Sequence, residues 1–292
     1  IPACQTVFLH YGRHAGIGLR KAAAALSVSP LFIWLIRIVL FIVCFYGASR
    51  FCRKHTDSFA MTRIQSNLSY HPEWDVAQPH ENEIKSILSQ PYYYLARGVQ
   101  SFVFVSQDGK TVIKFFRHHR LRTVAKVAKD FGSYLLAFNR LREETGLLYL
   151  HLNKTNHLKQ RLEIVDKLGI RHPIDLDNYE FIVQRKATLT YPAFDQWIAE
   201  GKTDDAKEAL TSLVHLLKTR AERGIFDKDP DLNTNFGFIG TMAVQIDVGR
   251  YRVKEIPFDR NELIRITDSL HQWLMERSPL LDEHLKEELN KT

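Results

Sequence analysis

The chain has 292 residues, 45% of them hydrophobic and 25% charged, the balance of an ordinary globular protein rather than a disordered or fibrous one. Its formal net charge of +7 belongs to one end: of 40 basic and 33 acidic residues, eight and one lie up to Arg63, leaving 32 of each sign in the remainder. A neutral globular part lacks the concentrated basic face of a nucleic-acid binder, so no nucleic-acid partner is expected.

Residues 1–30 form a weakly organised N-terminal segment with an Ala-rich run from Lys21 to Leu26. Leu31 to Tyr46 is almost wholly apolar, and with Ala48 the run (31–48) is just long enough to span a bilayer as a helix. Arg37 interrupts it, at a cost of roughly 2.5–3.5 kcal/mol at a helix centre, while each Leu, Ile, Val or Phe returns about 0.3–0.6 kcal/mol. The run holds twelve of these, so insertion wins. A cleaved leader and a buried core helix are the alternatives. The former wants a shorter leading segment, and the latter rarely carries Ile and Phe on every face. Arg50, Arg53, Lys54 and Arg63 follow the run closely, which places the C-terminal, globular side in the cytoplasm of a single-pass membrane protein. Cys4, Cys44 and Cys52 all lie in this N-terminal region, so no disulfide holds the globular part.

Residues 49–90 read as a linker and a short helix, Glu81 to Ser89, punctuated by Pro72, Pro79 and Pro91. Strands follow at Tyr92–Leu95, Phe102–Val105 and Thr111–Phe116. A Gly98 turn joins the first two and an Asp-Gly hairpin at Asp108-Gly109 the last two. Leu121 to Leu152 reads as helical, with Leu135, Phe138 and Leu141 along one side. Leu162–Val165 and Phe181–Gln184 are expected as a strand pair around a loop from Arg171 to Asn178. Helices are expected at Tyr191–Ala199 and Thr203–Arg223, the second capped by Thr203 or Asp204 and stopped at Gly224. Leu210, Leu213, Val214 and Leu217 mark its buried face. A capping-box start at Asp259 opens a helix to about Arg277, and Leu281–Leu289 adds a last one.

The densest chemistry lies between Gly224 and Gly249. Asp227, Asp229 and Asp231 crowd a turn after a helix, Asn235 follows, and the short apolar strand Ala243–Ile246 delivers Asp247 into a Val-Gly turn. Such oxygen-bearing side chains at strand mouths suit a hard cation carrying a phosphate, since Mg²⁺ takes one or two protein oxygens and completes its shell with phosphate and water. They also suit a surface turn rich in capping residues.

Taken together, these motifs resemble the protein-kinase-like phosphotransferase superfamily over roughly Tyr92 to Arg277. Asp227-Lys228-Asp229 stands where His-Arg-Asp would, Asp247-Val248-Gly249 where Asp-Phe-Gly would, and Val112-Ile113-Lys114 ends like Val-Ala-Ile-Lys. The resemblance implies an α+β, two-lobed kinase-like fold behind an N-terminal transmembrane helix. The N-lobe would span 91–187, ending at a hinge of Arg185-Lys186-Ala187, and a reduced C-lobe 188–292. It implies Lys114 on the nucleotide phosphates, Gly98 and Ser101 in the loop that covers them, Asp229 as catalytic base with Asp227 as the fallback, and Asn235 and Asp247 as metal ligands, with ATP and Mg as cofactors. The sequence departs from the pattern in several places. Only Gly98 remains of the glycine-rich motif, so Gln100 and Ser101 would supply donors instead. Asn235 lies one residue beyond its usual spacing. No Ala-Pro-Glu element follows, and the helix acid that should pair with Lys114 falls on Asp130, Glu143 or Glu144. Two functions are therefore expected side by side. One is ATP- and Mg-dependent phosphoryl transfer by a membrane-anchored enzyme to an unspecified acceptor. The other is an inactive pseudokinase acting as a membrane-tethered interaction or scaffold module for a protein partner.

Overall fold

The computed structural model describes residues 29–77, 81–118, 123–253 and 259–292. Cys4, the Ala-rich run, Pro79, His119 and the expected helix start at Leu121 lie outside them. The chain divides into an N-terminal unit ending at Lys54 and a second unit from His55 onward. Helix α1 (Pro30–His55) has 26 residues, none of them buried. At 1.5 Å per residue it is about 39 Å long, more than the roughly 30 Å of a hydrocarbon core. It is long and apolar enough to cross a membrane. None of its residues is buried against the other described residues, unlike those of a core helix.

The second unit mixes helix and sheet. Strands β1 (Tyr92–Arg97), β2 (Ser101–Ser106) and β3 (Thr111–Phe116) form an antiparallel meander. With β4 (Leu147–His151), β5 (Arg161–Val165), β6 (Arg171–Asp175) and β7 (Phe181–Arg185) they build a seven-stranded sheet in the order β4-β7-β3-β2-β1-β5-β6. Helix α2 (Glu81–Ile87) precedes the sheet. Helix α3 (Val124–Arg140) and the single turn α4 (Arg142–Thr145) lie between β3 and β4. All six residues of β3 are buried. Because successive side chains point to opposite faces, Ile113 and Phe115 enter one aromatic core with Phe102, Phe104 and Phe181, whereas Phe116 packs with Phe131 and Tyr134 of α3.

The C-terminal portion is mainly helical: α5 (Thr190–Ala199), α6 (Thr203–Glu222), α7 (Arg260–Arg277) and α8 (Pro279–Asn290). Leu210, Leu213, Val214 and Leu217 of α6 face Leu270, Leu274, Leu281 and Leu285 in one buried cluster. Short strands decorate it: β8 (Thr188–Leu189), β10 (Phe236–Ile239) and β11 (Met242–Gln245) as one sheet, β9 (Ile225–Asp227) and β12 (Tyr251–Val253) as another.

The structure corrects four expectations. Leu147–His151 is a strand, because Leu141 leaves helical geometry and Gly146, at φ 62°, stops the chain after α4. A short apolar run of this kind suits either element, and the flanking glycine decides. Strands 162–165 and 181–184 do not pair with each other. Asp166 accepts from the amides of Leu168 and Ile170 in a tight turn, so β5 doubles back on β6 while β7 pairs with β3 and β4. The span from Arg171 to Asn178 is accordingly a strand and a 3₁₀ turn rather than a loop. Finally, α6 begins with Lys202 at the cap and no side-chain cap bond. Asp204 and Asp205 instead lie in its first turn, where carboxylates complement the helix dipole.

Candidate active site

Sheet alternation that sends Phe116 to α3 also turns Val112 and Lys114 toward a cleft between the large sheet and the helical portion. This cleft has a volume of about 700 Å³, within the range of small-ligand sites. Gly98, Ser101, Lys114, Asp227, Asp229, Asn235 and Asp247 all line it, together with Arg185, Lys186 and Ala187. Residues separated by more than 140 positions thus share one cavity.

Lys114 is buried, and its Nζ donates to the carbonyl oxygen of Ile246 at 2.6 Å. Burial pushes its ammonium below the usual lysine range, and Asp247 opposes this in part. Among the described residues none of the three expected acids, Asp130, Glu143 or Glu144, pairs with Lys114. Glu144 pairs with Arg223 at 3.1 Å, Asp130 accepts from Gln100 Nε2 at 3.3 Å, and the α3 residue that lines the cleft is Tyr134. Helix α3 is fastened to the Asp-Val-Gly turn by a different device. Ser133 Oγ donates to the carbonyl of Val248 and accepts from the amide of Tyr251 at 2.7 Å, so one buried hydroxyl grips the backbone on both sides of Gly249.

The acids of the turn after β9 divide into two kinds. Asp227 is 2% exposed, and both its oxygens are taken. Oδ1 accepts from the Asp229 amide at 3.0 Å and Oδ2 from Gln245 Nε2. Gln245 Oε1 in turn accepts from Arg220 Nη1 at 2.8 Å and from the Tyr251 hydroxyl at 2.6 Å. Burial raises Asp227 above the usual carboxylate range despite Arg220 nearby, and raises the Tyr251 hydroxyl as well. A carboxylate so occupied holds the loop in shape. Asp229 is the accessible member: its side chain is 49% exposed, and Oδ2 lies 3.1 Å from Arg250 Nη1.

Asn235 Nδ2 donates to the Asp229 carbonyl at 2.6 Å, and the Asn235 carbonyl accepts from the amides of Ile246 and Asp247. The side-chain oxygens of Asn235 and Asp247 therefore sit on adjoining, mutually bonded turns. Among the described residues no cluster of three His, Cys, Asp or Glu exists to hold a metal. The donor set instead fits Mg²⁺, which needs only one or two protein oxygens when phosphates supply the others.

The covering turn after β1 is held by Arg117, whose Nη1 donates to the carbonyls of Gly98 at 2.9 Å and Val99 at 3.0 Å. Gln100, expected as a donor to phosphate, extends its side chain to Asp130 and over Gly249, where a Cβ would overlap the Gln100 carboxamide oxygen. Glycine in the Asp-Val-Gly turn thus leaves room for the Gln100 side chain, which a Cβ would push aside. Sequence reasoning missed Ser133, Arg220, Gln245 and Arg250 as parts of the site. Arg220 and Gln245 did leave a signal, a charged residue in the apolar stripe of α6 and a carboxamide inside an apolar strand.

No family model matches the chain, and no curated protein matches it. By fold, it is similar to structures of the bifunctional kinase-methyltransferase WbdD. One has a TM-score of 0.35 and 14% identity, covering 66% of this chain and 42% of that one. Another, with a bound kinase inhibitor, has a TM-score of 0.37 and 14% identity, covering 68% and 45%. The chain spans under half the length of these proteins. Values this low carry no residue-level correspondence, and the site stands on its own geometry.

Proposed function

We propose that the chain is a membrane-anchored, kinase-like phosphotransferase that moves the γ-phosphoryl group of ATP to a hydroxyl acceptor. The observation that carries this reading is the meeting of Lys114 with the backbone of Ile246, next to Asp247, inside the same cavity as Asp229 and Asn235. In this reading the large sheet is an N-lobe and the helical portion a C-lobe. Lys114 binds the nucleotide phosphates, and the turn at Gly98 and Ser101 covers them. The amides of Arg185 and Lys186 are engaged by the carbonyls of Gly146 and Lys110. Recognition of the base therefore falls to the carbonyls of 185–187 and the Ala187 amide. Asn235 and Asp247 hold Mg²⁺, which when bound neutralises phosphate charge. Asp229 orients the acceptor and takes its proton, a role worth about 10²–10⁴ in rate. Asp227 positions the loop rather than serving as a base. Helix α1 anchors the chain, with the globular unit on the cytoplasmic side as the basic residues after the apolar run suggest.

One observation favours a second reading, a pseudokinase that binds partners without turnover. Lys114 rests on a carbonyl where an acidic partner from α3 would hold it in an active kinase. Metal-dependent ATP consumption separates the two. The enzyme reading predicts turnover that Asp229→Ala lowers by at least about 10²-fold. Equal rates in the two proteins would remove Asp229 from its role, and nucleotide binding without any turnover would leave the scaffold.

A further inference from the structure

Arg250 follows the Asp-Val-Gly turn directly and lines the cleft. Its side chain is 52% exposed, and among the described residues its ion-pair partner is Asp229. This pairing stands against the role assigned to Asp229, because the guanidinium occupies a carboxylate oxygen that would have to face the acceptor hydroxyl. The pair is half in water, so exchanging one anion for another on Arg250 is cheap. A guanidinium also presents its donors as a planar fork that matches two oxygens of a carboxylate or phosphate.

The surroundings point the same way. Asp227 is shared with a smaller cavity of about 400 Å³, whose lining includes Lys228 and Arg265. Its one other carboxylate, Asp231, is engaged by the Asn233 amide and the Thr234 hydroxyl. Lys228 and Arg265 thus stand beside the loop after β9 with Asp227 and Asp231, whose oxygens already hold donors of the loop itself.

We infer that the phosphoryl acceptor carries an anionic group, of the carboxylate or phosphate type, beside the hydroxyl that reacts, and that Arg250 binds it. This rests on the phosphotransfer reading. The incoming anion draws Arg250 away from Asp229 and so frees that oxygen to face the hydroxyl. Asp229 then takes the hydroxyl proton, the acceptor oxygen forms its bond to the γ-phosphorus, and the bond from that phosphorus to the β–γ bridging oxygen breaks, with ADP leaving on the electron pair. A neutral acceptor would leave Arg250 on the base.

The test uses the full chain in detergent micelles, saturated with a non-hydrolysable ATP analogue and Mg²⁺, so that the γ-phosphate position is filled. Inorganic phosphate is titrated as the minimal anion, with thermal unfolding as the readout. Phosphate should raise the unfolding temperature further, Arg250→Ala should weaken its apparent affinity by about tenfold or more, and Asp229→Asn should strengthen it by removing the competing carboxylate. The analogue's own stabilisation should survive in Arg250→Ala. Analogue binding without a phosphate response, or a phosphate response indifferent to Arg250→Ala, overturns the acceptor inference alone. Loss of analogue binding in Arg250→Ala overturns it too, by assigning Arg250 to the nucleotide. No analogue binding in the wild type overturns the phosphotransfer reading and this inference with it.

Discussion

The ammonium of Lys114 donates to the carbonyl of Ile246 at 2.6 Å, joining the third strand of the large sheet to the turn that carries Asp247 across 132 residues of sequence. The contact places a buried cation one residue from a carboxylate that faces the cleft. Such an arrangement costs stability in the unliganded protein and suits an anionic ligand that would restore the lost solvation.

Lys114→Met should therefore leave the unliganded protein as stable as the wild type or more so. The pH dependence gives an independent check. Burial lowers the pKa of Lys114 from 10.5, so between its folded value and 10.5 the unfolded chain binds more protons and stability rises with pH. The penalty is fully present below the folded value. Unfolding midpoints measured from neutral to alkaline pH should show this rise in the wild type and a flatter profile in Lys114→Met. A marked loss of stability in the variant would contradict the desolvation argument.

Asp227 and Asp229 should respond oppositely to amide substitution. Asp227→Asn sets an amide group against the donors of Asp229 and Gln245, and should cost about 1–3 kcal/mol in chemical denaturation. Burial raises Asp227 above 3.8, so the native state binds the extra proton between 3.8 and the folded value, and the Asp227 contribution to stability falls as pH rises through that window. The variant should lack this slope. Asp229→Asn, at a half-exposed position, should stay within about 1 kcal/mol of wild type while abolishing most turnover.

Gln100 and Gly249 should be coupled. Gly249→Ala places a methyl group where the Gln100 carboxamide sits, so it should push that flexible side chain off Asp130 at a modest cost in stability. In a Gln100→Ala background the same change should be tolerated, giving an interaction energy of about 0.5–3 kcal/mol in a double-mutant cycle. Additive effects would show that the two positions do not meet in solution.

Ser133→Ala removes the hydroxyl that serves Val248 and Tyr251. Leaving a buried amide without its acceptor should cost about 1–3 kcal/mol by urea denaturation. A cost near zero would mean that α3 is held to the turn by packing alone.

These contacts explain what was legible in the sequence. Local patterns carried the meander, since Asp108-Gly109 fixes its hairpin and the apolar runs on either side fix the strands. The stripe Leu210, Leu213, Val214 and Leu217 likewise announced α6, and seven residues chosen from motif order alone line one cleft. Pairing was less legible. Strand β7 lies beside β3 and β4 because of a turn at Asp166–Gly169 whose effect is to send β5 elsewhere. The device that replaces the helix acid was not legible at all. Ser133 looks like any small polar residue on a helix, and its meaning arises only from backbone groups 115 and 118 residues away.

In the proposed function Lys114 and Asp247 serve one nucleotide–metal site. Calorimetric titration of the full chain with ATP tests it most directly, with and without Mg²⁺, for wild type, Lys114→Met and Asp247→Asn. Binding should depend on Mg²⁺ in the wild type, be lost in Lys114→Met, and lose its Mg²⁺ dependence in Asp247→Asn. Binding that is the same in all three proteins, or no binding in the wild type, would contradict it.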